Sequence, residues 1–234
     1  MRLTIGVLLL WTTTTAISLG LASSLQRTRD ATYDSYFYSH SYRRMLWAQD
    51  LLWFLAAPAY GAALAAAAAA AYRAAKQLGG FPTQPGHWIA VMLGIATLGF
   101  FAAMAPSSDW PTQRLVATAV TVVLAVVSCL AATATRSPRR WRAALLVNAG
   151  GLCALVAVVV AVRASGLDAT MPAMWLFVAL PALAIGVAVL VAGVAAISDL
   201  VRPPRQDLFH WVGVVSLAVL VAHPVIAAGL YWYR

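Results

Sequence analysis

Long apolar runs separated by short polar breaks constrain this chain more than any other feature. Taken between charged residues and Pro/Gly breaks, they cover 3 to 22, 49 to 72, 88 to 105, 113 to 134, 144 to 163, 173 to 196 and 209 to 230. Each is near the length a helix needs to cross about 30 Å of hydrocarbon at about 1.5 Å per residue. A chain that is 62% hydrophobic and 10% charged is also far from soluble-domain usage. The reading is an all-α, polytopic transmembrane bundle of seven spans. Residues 1–234 form a single integral membrane domain, with an extracytoplasmic interfacial segment at about 23–48.

Aromatic placement supports the same boundaries. Trp47, Trp53, Trp88, Trp110, Trp141, Trp175, Trp211 and Trp232 fall near run ends, where amphipathic indoles favour the headgroup level. Trp11 alone lies well inside a run. The first run has a second reading: one Arg, an apolar core and then small residues also describe a secretory signal, whose removal would leave six spans.

The formal net charge of +9 comes from fifteen Arg and one Lys against seven Asp, with no Glu. Because these cations flank apolar runs, orientation and anionic headgroups account for them, and nucleic acid is not an expected partner. Arg2, Arg73, Lys76, Arg136, Arg139, Arg140, Arg142, Arg202 and Arg205 fall on one side. Arg27, Arg29, Arg43, Arg44, Arg114, Arg163 and Arg234 fall on the other. The cluster RSPRRWR at 136–142 marks its own side as cytoplasmic, giving a cytoplasmic N-terminus and an extracytoplasmic C-terminus. Arg-for-Lys usage and abundant Ala fit a GC-rich bacterial genome and hence an inner membrane. Expected partners are membrane lipids, and membrane proteins that dock on small-residue helix faces.

Packing signals are plain. The run ALAAAAAAAY at 63–72 allows backbones to approach closely, and Gly94, Gly99, Gly150, Gly151, Gly186 and Gly193 suit the same purpose. Pro58, Pro181 and Pro224 lie within spans and free carbonyls there.

Candidate chemistry gathers in RTRDATYDSYFYSHSYRRMLWAQD, residues 27–50. If this segment is extended, Tyr36, Tyr38, His40 and Tyr42 share a side; if helical, His40 shares a face with Arg44 and Tyr38 with Tyr42. A headgroup belt is the plainest account. The functional alternative is a mouth in which Arg43, Arg44, Tyr38, Tyr42 and Gln49 bind a polar head. Asp30, Asp34 and His40 carry oxygen and nitrogen donors for a metal, but their spacing matches no established motif.

Asp50 opens the second span, where a carboxylate must pair, face water or cap the helix. His223 lies inside the seventh. Asp50, His223 and His40 are thus the candidate catalytic groups. Toward the cytoplasm, His87, Asn148, Asp199, Arg202, Arg205, Asp207 and His210 read most simply as separate interfacial anchors, with an inner gate as the alternative.

The sequence names no cofactor. His210 and His223 are nearly 20 Å apart along one helix, unlike the facing imidazoles of a transmembrane haem site. Lys76 sits in a predicted loop, which excludes an intramembrane Schiff base. Cys129 and Cys153 form no CxxC, and no phosphate loop, HExxH or G-x-S-x-G occurs. Three functions remain: binding or transforming a lipid-like or isoprenoid-like amphiphile at the extracytoplasmic face, small-solute or proton-coupled transport, and service as an accessory subunit of a membrane complex.

Overall fold

A computed structural model gives an all-α bundle and describes residues 5–33, 40–78, 82–103, 110–134, 138–165, 171–201 and 208–232. Within these, side chains at 5–8, 25–33, 40–50, 110, 114, 134, 162–165, 171–182, 184–185, 223–225 and 227–232 lie outside the description. The helices are α1 (Ile5–Tyr33), α2 (His40–Ala75), α3 (Pro85–Ala103), α4 (Trp110–Ala134), α5 (Arg139–Ser165), α6 (Met171–Val201) and α7 (Leu208–Trp232). Each apolar run therefore becomes a helix. Among the described residues, four stretches are long and apolar enough to cross a membrane: Leu51–Ala75, Pro85–Ala103, Pro111–Thr133 and Arg139–Ala161.

Helix α3 sits at the centre of the bundle. It packs on α2, α4 and α7, while α1 packs on α2, α2 also on α7, and α5 on both α4 and α6. Small side chains make the central approaches possible. Gly94 of α3 lies so close to the Ala63 carbonyl and the Ala67 methyl of α2 that a Cβ would collide with both. Gly86 and Gly213 meet in the same way where α3 and α7 begin. Ala62, Ala63, Ala65 and Ala66 are buried, so the Ala run is used within the chain. Gly150, Gly186 and Gly193 correct the expectation for that group: all three are exposed, and nothing lies where their Cβ would be.

The α1–α2 pair explains the misplaced Trp11. Its indole N–H donates to the Pro58 carbonyl at 2.9 Å. One turn on, the buried Thr14 hydroxyl lies 2.7 Å from the Gly61 carbonyl, and a Cβ on Gly61 would strike Thr15. An intramembrane polar group needs such a partner, because lipid supplies none. Helix α2 then ends in a Schellman motif, with Leu78 N–H on the Arg73 carbonyl at 2.8 Å and Gln77 N–H on Ala74 at 3.1 Å. Gln77 takes the left-handed position at φ 53°, where Gly is usual.

The segment expected at 23–48 is mostly helix: α1 continues to Tyr33 and α2 starts at His40. From His40 onward the extended alternative is thus replaced by the helical one. Asp50 lies ten residues past the start of α2, which removes helix capping as its explanation.

Gly94→Ala should lower stability by about 1–3 kcal/mol, as overpacking does, in unfolding titrations with SDS. Gly150→Ala, which meets open space, should be neutral or gain up to about 1 kcal/mol from helix propensity.

Candidate functional site

Four helix ends converge at the end of the bundle that carries Arg139, Arg140 and Arg142. Asp199, two residues from the end of α6, is fully buried. Its Oδ2 accepts the indole N–H of Trp141 at 2.7 Å, and its Oδ1 accepts from Arg140 Nη2. Both partners come from the first turn of α5, which starts after Pro138 and whose first amides use the Pro138 carbonyl, Trp141 N–H at 2.9 Å. A carboxylate out of water needs this density of donors. Arg140 is a third exposed, so its guanidinium reaches from the carboxylate to the interface.

His210, also fully buried, stands on the other side of the carboxylate with Nε2 3.8 Å from Asp199 Oδ2. That separation exceeds a hydrogen bond and leaves an electrostatic contact. Its Nδ1 accepts the backbone N–H of Gly86 at 3.0 Å, in the open first turn of α3. Accepting at Nδ1 assigns the ring proton to Nε2, directed to the carboxylate side, and leaves His210 neutral. His87 completes the layer: its Nδ1 lies 3.3 Å from Thr83 N and 3.4 Å from Gln84 N. It reaches back to amides before the helix as the third residue of a capping box does.

The separate-anchor reading is therefore corrected for Asp199 and His210, whereas His87 keeps the local capping role that needs no ligand. Asp199 and His210 belong to one buried cluster, and both His residues close the α3 N-terminus. Arg140 and Trp141 were missed as members, because a basic cluster and a span-end Trp already had topological explanations. The sequence did carry one signal: an Asp beside an apolar span needs an internal partner. Arg202, Arg205 and Asp207 lie outside the described residues.

Above this layer lies a half-open apolar pocket of about 260 Å³. Trp141 forms its floor. Its walls are Ile89, Met92, Leu93 and Ala96 of α3, Leu124 of α4, Ala144, Leu145, Asn148 and Leu152 of α5, Ala188, Val189 and Ala192 of α6, and Leu217, Leu220 and Val221 of α7. The space exists because α6 and α7 pack on other helices rather than firmly on each other, and because four wall residues are Ala. Asn148 supplies the polar exception. Its Nδ2 donates to Ser128 Oγ at 2.8 Å, and that hydroxyl donates to Met92 Sδ at 3.0 Å.

Helices α2 and α7, which carry Asp50 and His223, are neighbours. The side chains of Asp50, His223, His40, Arg43, Arg44, Tyr42, Gln49 and Asp30 lie outside the described residues, as do Tyr38 and Asp34 entirely. Nearby, Trp53 stacks on Tyr60 at 5.2 Å and on Phe100 at 6.0 Å between ring centroids. Among the described residues no group of three or more His, Cys, Asp or Glu is arranged to hold a metal.

No family model matches the chain, and no curated protein or solved structure matches it significantly.

Asp199→Ala should cost about 2–4 kcal/mol, since it strands a buried indole donor and part of a guanidinium. Asp199→Asn keeps an acceptor for Trp141 and should cost less than half as much, both read by SDS unfolding in bicelles.

Proposed function

We propose that this protein binds an apolar or amphiphilic ligand within the membrane, with the ligand's chain in the cavity above Trp141. The cavity carries the reading. It is half open at its side, has a volume of about 260 Å³ and is walled almost wholly by apolar side chains drawn from five helices. Water is a poor filler, because each molecule needs two to four polar partners and the wall offers chiefly Asn148. An apolar guest covers these side chains without asking the wall for hydrogen bonds. Dry apolar cavities of about 150 Å³ already accept benzene, so this one suits a longer alkyl or isoprenoid unit.

The apolar wall also favours binding over solute or proton transport, which calls for a continuous polar path. In this proposal the chain crosses the inner membrane seven times, with its N-terminus in the cytoplasm. The fit of Trp11, Thr14 and Thr15 against Pro58 and Gly61 supports retention of α1. The cavity extends from Trp141 toward Leu152, about 16 Å along α5 at about 1.5 Å per residue. That direction leads to the extracytoplasmic end, where Asp50, His40 and His223 would act on or orient the head. Arg43, Arg44, Tyr38, Tyr42 and Gln49 would hold it.

The protein purified into nanodiscs with endogenous lipids should retain a stoichiometric amphiphile, identified by native mass spectrometry. Ala192→Phe, which places a ring in the cavity, should abolish retention while the bundle still unfolds cooperatively. A folded Ala192→Phe protein carrying the same complement as wild type would overturn the reading. The intact mass should be 24.8 kDa if α1 is retained.

A further inference from the structure

We infer that Asn148 selects, among apolar chains entering the cavity, those that carry a single hydrogen-bond donor such as a hydroxyl. The inference rests on the cavity-binding reading and adds the chemistry of the ligand. Asn148 lies nine residues into α5, about 13 Å along the helix at about 1.5 Å per residue, far from either interface. A polar side chain at that depth must be satisfied by protein or by a guest.

Half of the amide is satisfied by protein, and the local network fixes which half. The Ser128 hydroxyl is fully buried and directs its hydrogen to the Met92 sulfur. Its oxygen is then an acceptor, and Asn148 can meet it only with Nδ2. The amide is thereby oriented with Nδ2 toward α4, and Oδ1 is left as the acceptor that Asn148 brings to the cavity wall. Among the described residues the hydrogen bond of Asn148 is the one made by Nδ2, and Oδ1 is not one of the enclosed side-chain atoms left without a partner, so it is open toward the pocket that Asn148 lines.

Around it the wall is Leu145, Leu152, Leu124 and Ala192, none of which provides a side-chain donor for Oδ1. The indole N–H of Trp141 is already held by Asp199. A guest with a hydroxyl thus satisfies Oδ1. A guest of equal shape that only accepts hydrogen bonds leaves Oδ1 bare and loses the solvation of its own oxygen. The match is to a long-chain alcohol or to a hydroxylated acyl or isoprenoid chain.

The test uses 1-decanol and methyl decyl ether, titrated into the full-length protein in nanodiscs of saturated phosphatidylcholine and followed by native mass spectrometry. Wild type should prefer the alcohol about five- to tenfold beyond the ratio in empty nanodiscs, the discrimination one net neutral hydrogen bond supplies. Asn148→Leu should bind both probes with that preference gone.

A wild-type preference within twofold of the empty-nanodisc ratio overturns the inference, as does a preference that survives Asn148→Leu. Because the wild-type comparison decides by itself, a variant that fails to fold does not protect the claim. Failure of both probes to bind beyond the empty-nanodisc level overturns the cavity reading itself, whereas equal binding of both with loss on Ala192→Phe removes only the role of Asn148.

Discussion

Keeping one carboxylate out of water sets the layout of one whole end of this bundle. Asp199 is fully buried near the end of α6, and a bare carboxylate there would be prohibitive. Two donors from the opening turn of α5 stabilise it, which fixes where α5 begins relative to α6. On its other flank His210 couples the start of α7 to the start of α3 through Gly86. Four helix ends are thus set by groups within one layer, and the close approach of Gly86 to Gly213 follows from the same contact.

That layer and the cavity above it are joined through Trp141. One edge of the indole serves the carboxylate, and its ring closes the apolar space. The division suits a residue with a large apolar body and a single polar handle. It separates a region where charge is balanced from one where almost nothing polar is present. The geometry therefore keeps ionic stabilisation at one helix-end layer and leaves the volume above it to dispersion and area burial.

The helical architecture was legible in the sequence because a membrane-length apolar run leaves the backbone few alternatives. Close packing along the Ala run and at Gly94 was legible too, since small residues at such positions have one physical use. Gly150, Gly186 and Gly193 share the composition but face outward, and composition does not encode facing. The inner cluster was harder to read. Asp199 and Arg140 stand 59 residues apart, and each had a sufficient local explanation by itself. The cavity left no mark, because it is a shape made by side chains of five helices. Of the outer residues, backbone alone is described at Asp50 and His223, so their pairing stays where sequence reasoning put it.

The span between Arg140 and Asp199 also orders assembly in time. The arginine leaves the ribosome first, and the carboxylate follows 59 residues later. At synthesis rates of about 5–20 residues per second, that interval is about 3–12 s. During it the cation has water available, because its long side chain reaches the interface, whereas the aspartate, when it arrives, finds its donors already in place. Chain order here spares the nascent bundle its worst electrostatic intermediate.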